Sequence, residues 1–207
     1  MILATDGAIR DGTAVGSVFI KPMSRYKISN RIESESNSTS QRAELLAIMK
    51  ALEVGQELDT VYIVTDSEYA YNGVNKEWFI NWKNKGWKTA DGTDTKNADL
   101  WEKIAYYYER NNDVVIYHVK GHVIPFGKVT SINLLQEDLS GEKLYHAVKD
   151  KFKKEEIKRQ DKIKEAAKTF KRINGFHVLF DTLMEMSCCN ITADLIASYW
   201  ADKFKEV

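Results

Sequence analysis

The centre of the predicted fold is the stretch Val61-Tyr62-Ile63-Val64-Thr65-Asp66, a β-branched run that ends on an acidic residue. An apolar run without alternation is typical of a strand covered on both faces, as central parallel strands are. Before it, residues 43–54 repeat apolar side chains with helical spacing, behind a polar capping cluster at residues 38–41. Because parallel strands need a crossover connection, this helix and strand predict a parallel pair.

The rest of the sheet is predicted outward from this strand. Three alternating or apolar runs precede it, separated by turn residues, and they predict an antiparallel meander over Ile2–Ala8, Ala14–Lys21 and Tyr26–Ile32. Helical patterns at residues 67–75, 78–84 and 98–110 follow it and lead to a second buried strand at residues 114–119. The order predicts a mixed α/β fold, with three antiparallel and then two parallel strands flanked by helices.

The residue pattern changes after residue 122, where β-branched runs give way to lysine-rich sequence with helical spacing. The apolar spacing predicts one long helix over Gly141–Ile173, whose charged middle is expected to project into solvent as an arm. A second helix over Phe176–Met186 is expected to fold back on it. Asn190 is then expected to cap a last helix, Ile191–Lys205.

Composition excludes some classes of protein and leaves others open. A hydrophobic fraction of 43% excludes a disordered tail protein. Thirty basic residues balance thirty acidic ones, so the net charge gives no argument for a nucleic-acid or membrane partner. Two adjacent cysteines, Cys188 and Cys189, have neither zinc-site spacing nor the number of a disulfide framework. With no leader or membrane-length apolar run, we expect a cytoplasmic protein with no membrane partner.

The net charge of zero conceals two basic segments. Residues 76–88 carry a net charge of +3 and include three tryptophans, and residues 143–172 carry +7. Basic residues interleaved with aromatic ones are typical of surfaces that bind nucleic-acid backbones. The alternative for both segments is a solvated helical face whose lysines serve solubility.

Three acidic residues, Asp6, Glu44 and Asp66, lie in segments that are expected to be buried. An ionised carboxylate is costly to bury unless it is paired, hydrogen-bonded or bound to a metal, and the nearby cations are few, Arg42 and Lys120. Acidic oxygens without histidine or cysteine neighbours favour Mg²⁺ or Mn²⁺ over zinc. The alternative is that each acid is a cap or turn residue, with Asp66 capping the helix that follows it.

Four segments then carry a resemblance, in this order: Thr5-Asp6-Gly7, Gln41-Arg42-Ala43-Glu44-Leu45, Val64-Thr65-Asp66-Ser67-Glu68-Tyr69 and Val119-Lys120-Gly121-His122. Together they resemble the type 1 ribonuclease H family, and the tryptophan-rich stretch after Trp78 is similar to the basic protrusion of cellular members. Residues 190–194 resemble the family's closing helix. The resemblance implies an RNase H-like five-stranded sheet in a catalytic domain of residues 1–122 and 190–207, interrupted by a helical insertion at 123–189.

The resemblance also implies a reaction. It suggests that Asp6, Glu44, Asp66 and Asp194 hold two Mg²⁺ ions, or Mn²⁺ in their place, and that His122 assists proton transfer or product release. The implied activity is endonucleolytic hydrolysis of the RNA strand of RNA/DNA hybrids, leaving 5′-phosphate and 3′-hydroxyl ends without a small-molecule cofactor. Two metal ions can activate a water, neutralise phosphate charge and stabilise the leaving oxygen.

The resemblance also implies residues that contact the substrate. They would form a phosphate pocket, a groove that distinguishes the strands, an aromatic channel and a basic loop. The residues are Thr39, Ser40, Gln41, Trp78, Trp82, Lys83, Lys85, Asn97 and Asn190. Many cellular members have Asn-Asn where this chain has Ser40-Gln41, which leaves open a shifted preference such as double-stranded RNA. A non-catalytic hybrid-binding protein is the other alternative. For the insertion, a hybrid-gripping arm, a surface for a protein partner or dimer, and a solvated helix all stay open.

Overall fold

The computed structural model describes residues 1–22, 27–56, 58–111, 113–121, 128–158 and 176–204. Its five-stranded sheet has the order β3-β2-β1-β4-β5. The strands are β1 (Ile2–Arg10), β2 (Thr13–Lys21), β3 (Ser29–Glu35), β4 (Val61–Thr65) and β5 (Val114–His118). The first three strands pair antiparallel, and β4 and β5 run parallel to β1. The predicted mixed α/β sheet is therefore confirmed, although β3 begins at Ser29, three residues later than expected.

Four helices accompany the first part of the chain: α1 (Ser40–Gly55), α2 (Glu68–Asn75), α3 (Trp78–Asn84) and α4 (Ala98–Tyr108). Helix α1 begins before the predicted Ala43 because the Thr39 side chain caps it, accepting a hydrogen bond from the Arg42 backbone N–H. Its apolar side packs with α4 and the sheet in a core that includes Leu3, Leu52, Ile63 and Trp101. We call this side of the sheet the first face.

The second face is covered by three helices, α5 (Lys128–Glu137), α6 (Glu142–Lys158) and α7 (Phe176–Phe204). Helix α5 was not anticipated from the sequence. The prediction of two helices with a break at Asn190 is wrong, because α7 is one helix of 29 residues. An asparagine inside a helix costs less than about 1 kcal/mol. Burial of its neighbours Cys188, Cys189 and Ile191 outweighs that cost.

The described part of the insertion belongs to the core of the protein. Leu135 of α5 and Leu144, Tyr145 and Val148 of α6 are buried in the apolar cluster of the second face. The Tyr145 ring stacks on Phe19 of β2, with ring centroids 5.4 Å apart. The first half of α6 is thus a packing element. Of the predicted helix 141–173, the structure describes residues up to Lys158, and Lys153 and Lys154 in its charged middle are exposed.

A charged cluster fixes α6 and α7 to the sheet. Glu185 of α7 pairs with Lys21 of β2 at 2.7 Å and with Lys149 of α6 at 2.9 Å, and it accepts a hydrogen bond from the Tyr145 hydroxyl. Burial acts to raise the pKa of Glu185, but the hydrogen bonds from Lys21, Tyr145 and Lys149 outweigh it and lower the pKa to about 2. Glu185 is therefore ionised, and it joins three elements that are distant in the sequence.

Helix α6 runs antiparallel to α7. A Cβ atom at Gly141, just before α6, would lie 3.0 Å from Ile196, whereas Lys149 reaches Glu185. Along α7, Glu185 precedes Asp194 by about 13 Å at the helical rise of ~1.5 Å per residue. The chain of α6 therefore leads away from the level of Asp194. Among the helical residues that the structure describes, none forms a segment long and apolar enough to cross a membrane.

Candidate metal centre and nucleic-acid interface

Three of the predicted metal ligands meet where β1, β4 and α1 come together. Asp6 lies within β1, Asp66 directly follows β4, and Glu44 lies in the second turn of α1. One carboxylate oxygen from each residue lies within 4.8 Å of the other two. Gly7 permits this approach, because a Cβ atom there would lie 2.5 Å from the backbone nitrogen of Glu44. Carboxylates separated by 38 and 22 residues in the chain thus form one cluster.

Asp66 is free for this cluster because its neighbour caps the next helix. The Ser67 hydroxyl accepts a hydrogen bond from the Ala70 backbone N–H at 3.3 Å, so Ser67 is the N-cap of α2. The alternative of a capping role for Asp66 therefore does not apply. On its other side, the backbone of Gly121 passes so close that a Cβ atom there would lie 1.9 Å from Asp66 Oδ2.

Burial makes the cluster electrostatically costly without a cation. Only 4% of Asp6 is exposed, and burial, followed by repulsion from Glu44, Asp66 and Asp194, raises its pKa well above the ordinary value. Burial and repulsion from Asp66 raise the pKa of Glu44 to about 8. Asp6 Oδ2 and Glu44 Oε2 are buried, and neither has a hydrogen-bond partner among the described residues. Hard oxygen atoms of this kind fit a Mg²⁺ or Mn²⁺ ion. Such an ion would offset the free-energy cost of burying the ionised carboxylates.

Helix α7 brings Asp194 toward the same edge. The Ser17 hydroxyl of β2 donates a hydrogen bond to the Ala193 carbonyl at 2.6 Å, which fixes this turn of α7 on the sheet. Asp194 is not within the 4.8 Å group of three, yet its charge contributes to the raised pKa values of Asp6 and Glu44. The structure therefore places the fourth predicted acid beside the cluster and within its electrostatic field.

Asn190 lies one turn before Asp194 on α7 but has a different surrounding. Its side chain is 1% exposed, and its amide nitrogen donates to the Thr5 carbonyl at 3.0 Å. Asn190 therefore does not cap a helix as predicted. Its hydrogen bond instead links α7 to Thr5, the strand residue before Asp6. In this conformation Asn190 presents no surface to a substrate.

The tryptophans of the predicted aromatic channel lie on α3. The Trp78 and Trp82 rings are 6.1 Å apart, and Lys76 Nζ lies 5.6 Å from the centre of the Trp78 ring. Trp82 also packs edge-on against the buried Trp101, which fixes the platform to the core of the first face. Both channel rings stay partly exposed, as a stacking surface requires.

The two lysines of the predicted basic loop differ. Lys83 is paired at 2.5 Å with Glu109, which directly follows α4, whereas Lys85 is exposed just after α3. Exposed ion pairs contribute little to stability, so the partner of Lys83 does not prevent a phosphate contact.

The predicted phosphate-pocket and groove residues lie at the start of two helices, α1 and α4. Thr39 is the helix cap, and Ser40 and Gln41 are exposed in the first turn. Asn97 adopts a left-handed backbone conformation with φ 58° before α4, and its buried side-chain nitrogen has no partner among the residues described. An unpartnered amide donor fits the predicted phosphate contact.

Arg42 is a connecting residue whose role the sequence did not indicate. Its guanidinium donates two hydrogen bonds to Glu35 at the end of β3 and two to Asp99 in the first turn of α4. These bonds raise its own pKa and lower those of Glu35 and Asp99. Arg42 therefore does not neutralise the carboxylate cluster and instead holds the β3–α1 connection against α4. His122, the predicted mobile histidine, lies outside the described residues.

A mixed five-stranded sheet with buried carboxylates where β1, β4 and α1 meet defines an RNase H-like α/β protein. The RNase H family model matches residues 1–127. The chain is 44% identical over 88 residues to Ribonuclease H of Pseudomonas fluorescens, covering 42% of this chain and 57% of that protein. It is 37% identical over 123 residues to Ribonuclease H of Francisella tularensis subsp. novicida, covering 59% and 79%. The chain belongs to the RNase H family.

Two solved structures are also similar to this chain, both of the foamy viral protease-reverse transcriptase. The complex with dsDNA has a TM-score of 0.48 and 21% sequence identity, over 59% of this chain and 83% of that one. The complex with an RNA/DNA hybrid has a TM-score of 0.48 and 19% identity, over 59% of this chain and 17% of that one.

Proposed function

We propose that this protein is a divalent-metal-dependent endonuclease that cleaves the RNA strand of RNA/DNA hybrids. The observation that carries the proposal is the cluster of Asp6, Glu44 and Asp66, in which two buried oxygens have no partner within the part of the chain that the structure describes. Membership of the RNase H family supports the same activity. Because the chain spans 57% of the Pseudomonas relative, the activity is a proposal for this chain.

Four residues would hold the ions: Asp6, Glu44 and Asp66 from the compact cluster, with Asp194 beside it. Bound there, two Mg²⁺ ions would neutralise phosphate charge, lower the pKa of the attacking water and stabilise the leaving 3′-oxygen. Asp6 faces all three of the other acids, since repulsion from Glu44, Asp66 and Asp194 contributes to its raised pKa. The oxygen-only ligand set suits Mg²⁺, and Mn²⁺ is the alternative.

The remaining residues would bind and orient the duplex. Asn97 offers its unpartnered amide to a phosphate, and Trp78 and Trp82 offer a stacking platform for the DNA strand. Ser40 and Gln41 present polar side chains where 2′-hydroxyl groups can be read, and such groups distinguish RNA from DNA. His122 would assist the movement of a proton, as the family resemblance implies. Lys85, exposed beside the platform, would contact the backbone.

The proposal is tested with end-labelled RNA/DNA, RNA/RNA and DNA/DNA duplexes of one sequence, in Mg²⁺ and separately in Mn²⁺. We expect cleavage of the RNA strand of the hybrid, with products that carry 5′-phosphate and 3′-hydroxyl ends. Asp66→Asn should remove the activity without lowering the melting temperature of the metal-free protein, because it relieves repulsion of Asp6 and Glu44. Hybrid binding without cleavage would favour the non-catalytic alternative, and cleavage of RNA/RNA above hybrid would show that Ser40 and Gln41 shift the duplex preference.

A further inference from the structure

The carbonyl of Asp66 lies just beyond the last backbone hydrogen bond between β4 and β5. In the parallel register Thr65 is opposite His118, and the Val119 N–H donates to the Thr65 carbonyl at 2.9 Å. The chain then turns into α2, so the sheet offers no backbone donor to the next carbonyl of β4. Among the described residues, no backbone N–H donates to the carbonyl of Asp66, a predicted metal ligand.

The side chain of His118 occupies that position. Its Nε2 atom lies 3.1 Å from the Asp66 carbonyl oxygen. A carbonyl can only accept, so Nε2 carries the hydrogen and the imidazole donates. The ring is also oriented from its other side, since it packs on Tyr71 of α2 with centroids 5.4 Å apart and planes inclined by 32°. His118 thus joins the end of β5 to the turn that carries Asp66.

A second contact from the same segment restricts the Asp66 side chain. The backbone of Gly121 passes against Asp66 Oδ2, at the distance where a Cβ atom would collide. His118 therefore fixes the main chain of Asp66 while Gly121 limits its carboxylate, and both belong to the segment that leads toward His122. Partners that orient a metal ligand in this way commonly contribute 10–100-fold to metal affinity.

We propose that His118 is a positioning residue, which holds the Asp66 carboxylate in the geometry that binds the divalent ion. The inference rests on the proposed metal centre. It assigns no contact with substrate to His118, because the imidazole acts through the Asp66 backbone.

Two variants separate the hydrogen bond from the ring packing. His118→Phe keeps an aromatic ring against Tyr71 and removes the donor, whereas His118→Gln loses the ring and keeps an N–H at about the reach of Nε2. Mn²⁺ binding is measured by the electron paramagnetic resonance signal of the free ion, with melting temperatures of the metal-free proteins beside it. We expect His118→Phe to weaken Mn²⁺ binding about tenfold and His118→Gln to stay within about threefold of the parent.

Turnover supplies a second readout. His118→Phe should lower kcat at fixed Mn²⁺ while KM for the hybrid is unchanged, and His118→Gln should restore kcat. Equal Mn²⁺ affinity in the parent and His118→Phe would overturn the inference, and so would a loss in both variants that follows their melting temperatures. A parent protein that binds no Mn²⁺ would overturn the proposed metal centre as well, which distinguishes the two failures.

Discussion

The two faces of the sheet are covered in different ways. On the first face, α1 packs on β1 and β2 while α4 packs on α1, and the packing of α1 places Glu44 beside Asp6. On the second face, α5, α6 and α7 come from a lysine-rich region beyond residue 127, and their apolar residues bury Phe19 and Ile2. A charged cluster around Glu185 adds to that packing. The first face contributes Glu44 to the acidic cluster, whereas the second face contributes Asp194 through α7.

This difference shows that the insertion is not a simple addition to a finished domain. Leu144 and Tyr145 pack against the strand that pairs with β1, and α7 continues without interruption from the insertion to Asp194. Replacing residues 123–189 by a short loop would therefore remove core side chains together with the basic segment. Point variants on each face separate the two contributions.

The largest expected effect is at the proposed metal centre, to which the first face contributes Glu44 from α1. Asp6→Asn should lower hydrolysis by about 10³-fold or more, because metal-ion stabilisation amounts to several kcal/mol and each ~1.4 kcal/mol is tenfold. The same variant should melt higher than the parent without metal, since it removes one of several buried carboxylates that repel each other. Asp113→Asn, the same change at an exposed residue, is the control and should do neither.

Unchanged melting of Asp6→Asn in the absence of metal would contradict the electrostatic description of the cluster. Activity close to that of the parent would contradict the role of Asp6 in holding the ions.

The next prediction compares the packing of the two faces by one cavity-forming substitution on each. Leu52→Ala on the first face and Leu144→Ala on the second each truncate a fully buried leucine. Each should cost about 2–5 kcal/mol of unfolding free energy, measured by urea denaturation, because both leave a cavity in a packed cluster. A cost below about 0.5 kcal/mol for Leu144→Ala alone, the size of an ordinary surface change, would show that α6 is a loosely attached arm.

The charged cluster of the second face should give a smaller, pH-dependent effect. Glu185→Gln leaves Lys21 and Lys149 without their carboxylate and should cost about 1–3 kcal/mol at pH 7. The pKa of Glu185 falls from 4.5 to about 2 on folding, so its contribution is complete above pH 4.5 and is lost as the pH falls through about 2. Urea denaturation at a series of pH values should show the difference between parent and variant shrinking over that window.

A difference that stays constant from pH 7 to pH 2 would mean that ionisation of Glu185 does not stabilise the second face. Glu155→Gln, a partly exposed change on α6, is the matched control.

The smallest expected effect compares the two basic surfaces. Lys85→Ala beside the tryptophan platform should weaken hybrid binding a few-fold and reduce the slope of log affinity against log salt by about 1, as the loss of one phosphate contact does. Lys153→Ala on α6 should leave the slope unchanged, because α6 leads away from the level of Asp194. Equal effects at both lysines would instead support the insertion as a hybrid-gripping segment.

Several elements could be predicted because their signals are local. The bounds of β4 (Val61–Thr65) and α3 (Trp78–Asn84) agree with the prediction, because the apolar pattern and the polar flanking residues define where each element begins and ends. The start of α1 was misplaced because the choice among neighbouring polar caps depends on side-chain geometry. At Asn190 the local capping preference predicted a break, but burial of the surrounding side chains kept the helix continuous.

By itself, the sequence determined the order of the strands in the chain, the mixed character of the sheet and the acids that were candidates for a metal, because periodicity and motif spacing are local properties. Only the tertiary structure decided that Asp6, Glu44 and Asp66 come within 4.8 Å, that Arg42 pairs elsewhere, and that His118 reaches the Asp66 carbonyl. It also decided that Leu144 packs in the apolar cluster of the second face. Such facts depend on contacts between distant residues, which are set by the packing of whole faces and not by any one segment.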